Sequence, residues 1–577
     1  PKQMLLTGLS LAFATIPEEL PIIITMVLSL GAFRLSKKNA VAKRLSGVES
    51  LGSVTVIATD KTGTLTENRM EVACFEPEKE KNRLLEIGMF SNDAVPDGEN
   101  FIGDAVDIAL LRSARQSGLD VNAERVAHPI LNEFTFDNNR KRMSTILLKD
   151  GQPWIAVKGS PETILSQCTQ VRNGETVDLL TDAARLSILA RVSQLAADGL
   201  RVLAFAERNL PQPDLSQEVV ESELTFTGLV GLQDPPRPEV RDAIATCQHA
   251  GIRVIMITGD HPFTANAIGR QVGFNGDNPV VTGPELDRLS EDQLKVVVKH
   301  SSIFARTTPE HKLRIVQALQ ALGERVAVTG DGVNDAPALS AADIGVAMGE
   351  TGTDVAREAG DMVLMDDNFT TIVNAVKEGR LIYENLKKGV RYYLTCKVAL
   401  VLINLIPTLL LVPVPFAPIQ IILMELFMDL MAAAAFSTEK PEKDLLDQKP
   451  RDPKTKFMDS VMVRSIGISS FGLFAAVTLA YLFTWYTTKD AVASQTVAFF
   501  GWLIGHVLLA FNMRSERQPM FQLGLTSNRV MLIWAVAVGV FLILISTIPG
   551  AQALMKITTL TSSQWAMLLG ATFIGTF

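Results

Sequence analysis

Three short runs of β-branched and apolar residues each end on an aspartate. Val54-Thr55-Val56-Ile57-Ala58-Thr59 leads into Asp60-Lys61-Thr62-Gly63-Thr64-Leu65-Thr66. Arg253-Val254-Ile255-Met256-Ile257 leads into Thr258-Gly259-Asp260, and Val326-Ala327-Val328 into Thr329-Gly330-Asp331-Gly332-Val333-Asn334-Asp335. A carboxylate at the C-terminal end of a buried parallel strand, followed by a Gly/Thr turn, stands where α/β sheets bind ligands. A lone Thr-Gly-Asp is most often a turn with an Asp cap. Three such edges separated by helical sequence gather carboxylates from distant parts of the chain into one site. Carboxylates crowded in this way need a cation, and hard oxygen ligands joined to phosphate chemistry point to Mg²⁺.

The elements around these edges are of two kinds. The chain has 577 residues, 47% hydrophobic and 20% charged, yet its mean hydropathy is +0.22. That average predicts a charged soluble part and a separate apolar part, in three or four domains. Disordered, collagen-like and disulfide-scaffold classes are excluded by the apolar content and by only four cysteines. Cys74, Cys168, Cys247 and Cys396 lack metal-type spacing and read as reduced packing thiols. The net charge of −8 argues against a nucleic-acid partner.

Apolar runs occur at 4–33, 392–414, 416–437, 462–486, 494–512, 529–548 and 564–577. Most approach the ~20 residues that span a bilayer. The first is too long and too acidic for a cleaved signal peptide. Cations cluster after the first run (Arg34, Lys37, Lys38, Lys43, Arg44), before the second (Lys387, Lys388, Arg391), in the 438–461 loop and after the fifth (Arg514, Arg517). The alternate loops are nearly free of them, so the 34–390 region is expected in the cytoplasm. The first run begins almost at residue 1 and the last stops at Phe577, which predicts a piece of a larger chain.

With DKTGTLT at 60–66 and TGDGVNDAP from Thr329, the sequence resembles the P-type ATPases, ion pumps whose phosphorylation domain belongs to the haloacid dehalogenase group. Lys158-Gly159-Ser160-Pro161-Glu162, Asp234-Pro235-Pro236-Arg237 and Met256-Ile257-Thr258-Gly259-Asp260 match as well. The resemblance implies a multidomain chain: an α-helical transmembrane bundle, an α/β haloacid-dehalogenase-like (Rossmann-type) phosphorylation domain at 34–70 and 231–390, and an inserted α+β nucleotide-binding domain at 71–230. The first transmembrane helix would occupy 1–33, broken at Pro17-Glu18-Glu19-Leu20-Pro21, and the rest of the membrane domain 391–577.

By the same resemblance Asp60 takes the γ-phosphoryl of ATP, and Asp60, Asp331 and the Thr62 carbonyl hold Mg²⁺. Thr258, Gly259, Asp260, Lys312 and Asn334 surround the transferring phosphoryl, with Lys61 and Thr64 beside the nucleophile and Asp335 orienting the shell. Asp107, Phe136, Asn138, Lys158, Gly159 and Arg201 form the ATP pocket, Phe136 stacking on adenine. Asn138 stands where the family more often has Arg, which removes a phosphate contact. The family's actuator domain, with its TGE loop, and three preceding helices have no match; Met348-Gly349-Glu350-Thr351 sits in phosphorylation-domain context. A second polypeptide carrying that missing N-terminal half is an expected partner.

Intramembrane carboxylates are costly and so point to function. Glu18, Glu425 and Asp429 match ion-binding positions of the calcium and sodium pumps, and Glu425 and Asp429 are spaced for one helix face. Where calcium pumps carry Asn and Glu, this sequence has Lys397 and Leu400, and a third family carboxylate falls on His506. The expectation is one divalent cation per cycle, Ca²⁺ or similar, modulated by Lys397, across a plasma membrane. Proton or other monovalent transport is the alternative, since Lys397 beside two carboxylates also makes a proton site. No thiol pair favours soft metals. A membrane-bound phosphatase would carry a second Asp where Thr62 stands. Intact Asp60, Lys312 and Asp331 argue against an inert scaffold, and the acidic cluster argues against a flippase.

Overall fold

The computed structural model describes residues 19–98, 100–212, 216–274, 279–442, 445, 448–451, 455–515 and 520–576. They form two compact units. One comprises Val56–Gly360 and Asp366–Thr370; the other comprises the described residues up to Thr55, Asp361–Met365 and those from Thr371 onward.

The first of these units contains a parallel sheet. Its strands in chain order are β1 (Val56–Thr59), β2 (Arg253–Ile257), β3 (Val280–Thr282), β4 (Ile303–Ala305), β5 (Val326–Gly330) and β6 (Ile344–Met348). They lie in the order β6-β5-β1-β2-β4-β3, and every pairing among them is parallel. Helices such as Pro262–Val272, Glu291–His300 and Pro309–Ala321 fill the crossovers. β1, β5 and β6 are buried along their whole length, which is why they read as unbroken apolar runs. The chain leaves β1 in one direction toward β2 and returns on the other side at β5. The strand order therefore reverses around β1, which is where open α/β sheets form a crevice.

Between β1 and β2 the chain inserts a second, mostly antiparallel sheet. Its order is Thr176–Leu179, Cys168–Asn173, Leu224–Gln233, Arg201–Asn209, Gln152–Gly159, Arg142–Lys149, Ile130–Asp137, with Glu71–Glu76 also paired to Leu224–Gln233. Period-two alternation along Gln152–Gly159 separates its faces. Trp154 and Ala156 pack with Leu84, Leu110 and Phe205, whereas Ile155 and Val157 pack with Ile164, Leu165 and Phe226.

The other unit is helical. Phe369–Leu409, Ser460–Thr488, Ala491–Asn512 and Arg529–Thr547 are long and apolar enough to cross a membrane. The remaining predicted runs appear as Leu20–Ser36, the consecutive turns from Pro418 to Phe436, and Ser562–Thr576. Phe369–Leu409 starts well before the apolar run at 392, because its first turns continue helically as a charged stretch through Arg391. Buried Tyr392, Leu400, Phe436, Leu473 and Trp502 share one core.

Candidate active site

Asp60 leaves the end of β1 into a wide turn, Lys61–Leu65, in which Gly63 takes the left-handed φ of +75°. One carboxylate oxygen of Asp60 accepts the Lys61 N–H at 2.6 Å. The Asp60 N–H donates to the Thr329 hydroxyl at the end of β5 at 3.3 Å, and that hydroxyl donates to Thr59 at 3.1 Å. A clamp holds the turn from outside. Asp234 accepts from the Thr66 hydroxyl at 2.5 Å and from the Arg69 N–H at 3.1 Å, while Arg237 donates to the Gly63 carbonyl at 3.1 Å. Asp234 and Arg237 were visible only as part of a matching motif; nothing in their spacing announced that they fasten the loop bearing Asp60.

Lys312 comes from the first turns of Pro309–Ala321 and is buried. Its ammonium lies 2.6 Å from Asp335 Oδ1 and 3.1 Å from Asp60 Oδ2. Burial alone would depress its pKa, but Asp60 and Asp335 more than offset that and leave it raised. The other Asp335 oxygen accepts the N–H groups of Asp331 and Gly332, both at 3.1 Å. Gly330 is needed here, because a Cβ on it would lie 2.4 Å from Asp335 Cβ.

The remaining predicted residues take different positions. Lys61 points to Asp260 at 2.7 Å, so the two neutralise each other. Thr258 is buried and its hydroxyl accepts the Asp260 N–H at 3.2 Å. The backbone at Gly259 is uncrowded: a Cβ there would meet only the Thr307 carbonyl at 3.9 Å. Thr62 and Asn334 are exposed, and Thr64 is buried. Met348 ends strand β6, and the N–H groups of Gly349, Glu350 and Thr351 wrap the Asp367 carboxylate.

Asp331 has its carboxyl pKa raised, first by burial and then by Asp60 and Asp335. Among the described residues no three His, Cys, Asp or Glu side chains converge into a complete metal cage. Two carboxylates with excess negative charge at a sheet edge suit Mg²⁺, which keeps waters and phosphate oxygens in its shell. A raised folded pKa contributes stability below the unfolded value that is lost as pH rises through the folded one. At neutral pH the Asp331 charge is therefore a cost. Asp331→Asn should raise the melting temperature of the metal-free protein while abolishing any stabilisation by Mg²⁺, read by thermal unfolding at pH 7 with and without the metal.

In the inserted sheet, Lys158 and Asp107 form a buried ion pair. Burial lowers the Lys158 pKa against the pull of Asp107. Alternation sends Lys158 to the same face as Trp154 and Ala156, the face covered by helix Ala105–Gln116 that carries Asp107. Register aligns Asp137, Arg142, Gly159 and Ala204 across four strands, so Phe136, Asn138 and Gly159 share one end of the sheet, with Arg201 beyond it. Phe136 is 55% exposed, and Asn138 and Arg201 are exposed too. Gly159 is required by close approach, since a Cβ would stand 2.6 Å from the Lys141 carbonyl. A carboxylate that the sequence did not single out, buried Glu221, holds this hairpin: it binds Arg140 at 2.5 Å, Arg142 at 2.8 Å and the Ser144 hydroxyl at 2.7 Å.

In the helical unit, Lys397 is buried and forms ion pairs with Glu425 and, at 3.5 Å, with Glu19. Tyr393 donates its hydroxyl to the same Glu19 carboxylate. Glu425 lies in the first turn of a widened segment, Met424–Asp429, of a kind that recurs at functional sites. Glu18 and the Asp429 side chain lie outside the described residues. Leu400 and His506 are fully buried, His506 standing edge-on to Tyr392 at 5.3 Å. Glu19, which was not in the predicted set, joins Glu425 as an acidic residue on Lys397.

Family models match successive parts of the chain: "P-type ATPase, cytoplasmic domain N" over 80–239, "haloacid dehalogenase-like hydrolase" over 162–340 and "Cation transporting ATPase, C-terminus" over 413–577. Among curated proteins it is 37% identical to Calcium-transporting ATPase 1 of Bacillus cereus, covering 98% of this chain and 67% of that one. It is 37% identical to the Calcium-transporting ATPase of Bacillus subtilis over 100% and 68%. Calcium-transporting ATPase type 2C member 1 of Bos taurus is 34% identical over 99% and 62%.

Proposed function

The chain belongs to the P-type ATPases, membrane enzymes that couple ATP hydrolysis to cation movement, and on that premise we propose that it transports one Ca²⁺ or similar divalent cation per cycle through an aspartyl phosphate on Asp60. The observation that carries this reading is the buried Lys312 ammonium held between Asp60 and Asp335. A carboxylate oxygen of Asp60 attacks the γ-phosphorus of ATP in line, the bond to the β–γ bridging oxygen breaks, and ADP leaves. Lys312 neutralises charge as it builds on the transferring oxygens, and in this reading Thr258, Gly259 and Asn334 bind those oxygens as well. Asp60 and Asp331, with the Thr62 carbonyl, would hold Mg²⁺, which when bound screens the phosphate charge. Asp335 positions both Lys312 and the 331–332 backbone.

Phe136 stacks on the adenine at the open end of the inserted sheet, with Lys158, Asp107 and Gly159 behind it and Arg201 reaching for phosphate. The names of the relatives favour Ca²⁺, and Glu18, Glu425 and Asp429 are its ligands in this reading. The setting is a plasma membrane with the ATP site in the cytoplasm. The contact of Lys397 with Glu425 favours a second reading, proton transport. Incubation with γ-³²P-ATP and Mg²⁺ should label the chain with a hydroxylamine-labile phosphate that Asp60→Asn abolishes; a label surviving that substitution overturns the mechanism. ATP hydrolysis scanned against Ca²⁺, Mn²⁺, Mg²⁺ and pH separates the ions, and stimulation by acid alone would establish the proton reading.

A further inference from the structure

The segment Met348-Gly349-Glu350-Thr351 stands out in the sequence but takes no part in the phosphoryl-transfer steps. It leaves strand β6 and turns around one buried side chain. Gly349 and Glu350 donate their N–H groups to Asp367 Oδ1 at 2.7 and 3.1 Å. Thr351 donates both its N–H and its hydroxyl to Oδ2, each at 2.7 Å. Successive N–H groups curled around an anion form a nest, and here the anion belongs to the chain itself. Asp367 is 3% exposed and takes the left-handed φ of +46°, a conformation that few residues besides glycine, asparagine and aspartate adopt.

The carbonyls of the same loop are held from helix Asp354–Ala359. Arg357 donates to the Gly349 carbonyl at 3.0 Å and to the Gly352 carbonyl at 2.6 Å. A carboxylate thus gathers the N–H groups of the loop and a guanidinium gathers its carbonyls. The loop ends at Thr353, whose N–H donates to the Asp331 carbonyl at 2.8 Å. The Asp331 N–H is already bound by Asp335 at 3.1 Å. Asp331 is therefore held on both sides of its Cα, by Asp335 through its N–H and by the 349–353 loop through its carbonyl. That fixes where its side chain leaves the backbone. Asp331, Thr353 and Asp367 all belong to the compact unit that contains the parallel sheet.

On the reading that Asp60 is phosphorylated with Mg²⁺ held by Asp331, we propose that Asp367 is a positioning residue for that reaction, folding the 349–353 loop so that it holds Asp331 in place to bind the metal. Groups that orient metal ligands without touching the metal change its affinity by about 10–100-fold when removed. Asp367→Asn keeps the shape but replaces one acceptor oxygen by an NH₂ group. The Thr351 hydroxyl can turn to accept from it, yet at least one backbone N–H of the nest loses its partner.

Thermal unfolding of the full chain in detergent micelles, titrated with MgCl₂ and no nucleotide, gives a Mg²⁺ dissociation constant from the rise in melting temperature. Labelling by γ-³²P-ATP over the same Mg²⁺ range reads the reaction. Asp367→Asn should weaken Mg²⁺ binding about ten-fold and raise the Mg²⁺ requirement for labelling by the same factor, with the rate at saturating Mg²⁺ nearly unchanged. Thr351→Val removes one of the four bonds, at an exposed residue, and should weaken Mg²⁺ roughly two- to three-fold; it decides the matter should Asp367→Asn fail to fold. Asp343→Asn is the structural control. That carboxylate also holds a backbone N–H, Val326 at 3.0 Å, but at the start of β5, the end away from Asp331. It should lower the melting temperature and leave Mg²⁺ affinity in place. Mg²⁺ affinity unmoved in Asp367→Asn and Thr351→Val, while Mg²⁺ stabilises the parent and not Asp331→Asn, would overturn the inference and leave the metal assignment standing. An equal loss of affinity in Asp343→Asn would overturn it too, and a parent indifferent to Mg²⁺ would overturn both.

Discussion

Lys312→Met should lower the initial rate of Asp60 phosphorylation by about 10²–10³-fold, the effect of deleting one fixed electrostatic group from a reacting centre. Methionine keeps most of the apolar stem and removes the charge together with the two hydrogen bonds that the ammonium donates. What it leaves behind decides the size of the effect. Asp60 loses a cation at 3.1 Å and Asp335 one at 2.6 Å. With Asp331 already penalised by those neighbours, three carboxylates then repel one another without a protein countercharge. Removing one member of a buried ion cluster costs about 3–5 kcal/mol. The melting temperature should therefore drop, and drop less with Mg²⁺ present, since the metal substitutes for part of the missing charge. Lys312→Arg keeps the charge and should retain more of both properties. Rapid-quench labelling and thermal unfolding read the two outcomes. Phosphorylation by Lys312→Met within five-fold of the parent would show that Lys312 is structural only.

The cluster around Asp60 was legible because Asp60 and Asp331 each follow the end of a buried strand, and a run such as Val54 to Thr59 can be recognised without knowing its neighbours. The strand order that joins β1 to both β2 and β5 only realised what those edges required. The contacts that hold the centre were not legible in the same way. Asp234 reaches Thr66 and Arg237 reaches Gly63 across the whole inserted domain, and no period or spacing connects such pairs. Asp260, expected among the phosphoryl ligands, is engaged by Lys61, because the lysine following Asp60 has an acidic partner on the next strand edge. Glu221 escaped notice for a related reason. A buried glutamate bound to two arginines looks, in sequence, like any surface charge. In the membrane part, apolar length located the helices, but no spacing marked Glu19 as a partner of Lys397.

That same lysine supports the other large prediction. Lys397→Asn should make the protein depend on a divalent cation for stability and raise its apparent Ca²⁺ affinity at least ten-fold. The ammonium touches Glu425, lies 3.5 Å from Glu19 and sits 5.3 Å above the Tyr393 ring, all in a buried setting. It thus brings, as part of the chain, positive charge that a bound ion would otherwise bring. A buried carboxylate stripped of its partner costs about 3–5 kcal/mol, and that cost falls on the ion-free protein alone. In chelator the Asn variant should melt well below the parent; with Ca²⁺ the gap should close, because the ion now neutralises Glu425 and Glu19 and finds an amide oxygen where the ammonium stood. By linkage, whatever stability the ion restores appears as binding free energy. Lys397→Met separates the two contributions, since it removes the charge without adding a ligand: it should share the loss in chelator and recover less with Ca²⁺. If one ion moves per cycle because Lys397 occupies the space of a second, equilibrium ⁴⁵Ca binding should rise from one toward two per phosphorylation site in the Asn variant and stay at one in the Met variant. Unchanged melting in chelator for both variants would mean that Glu425 and Glu19 are neutralised by something other than Lys397.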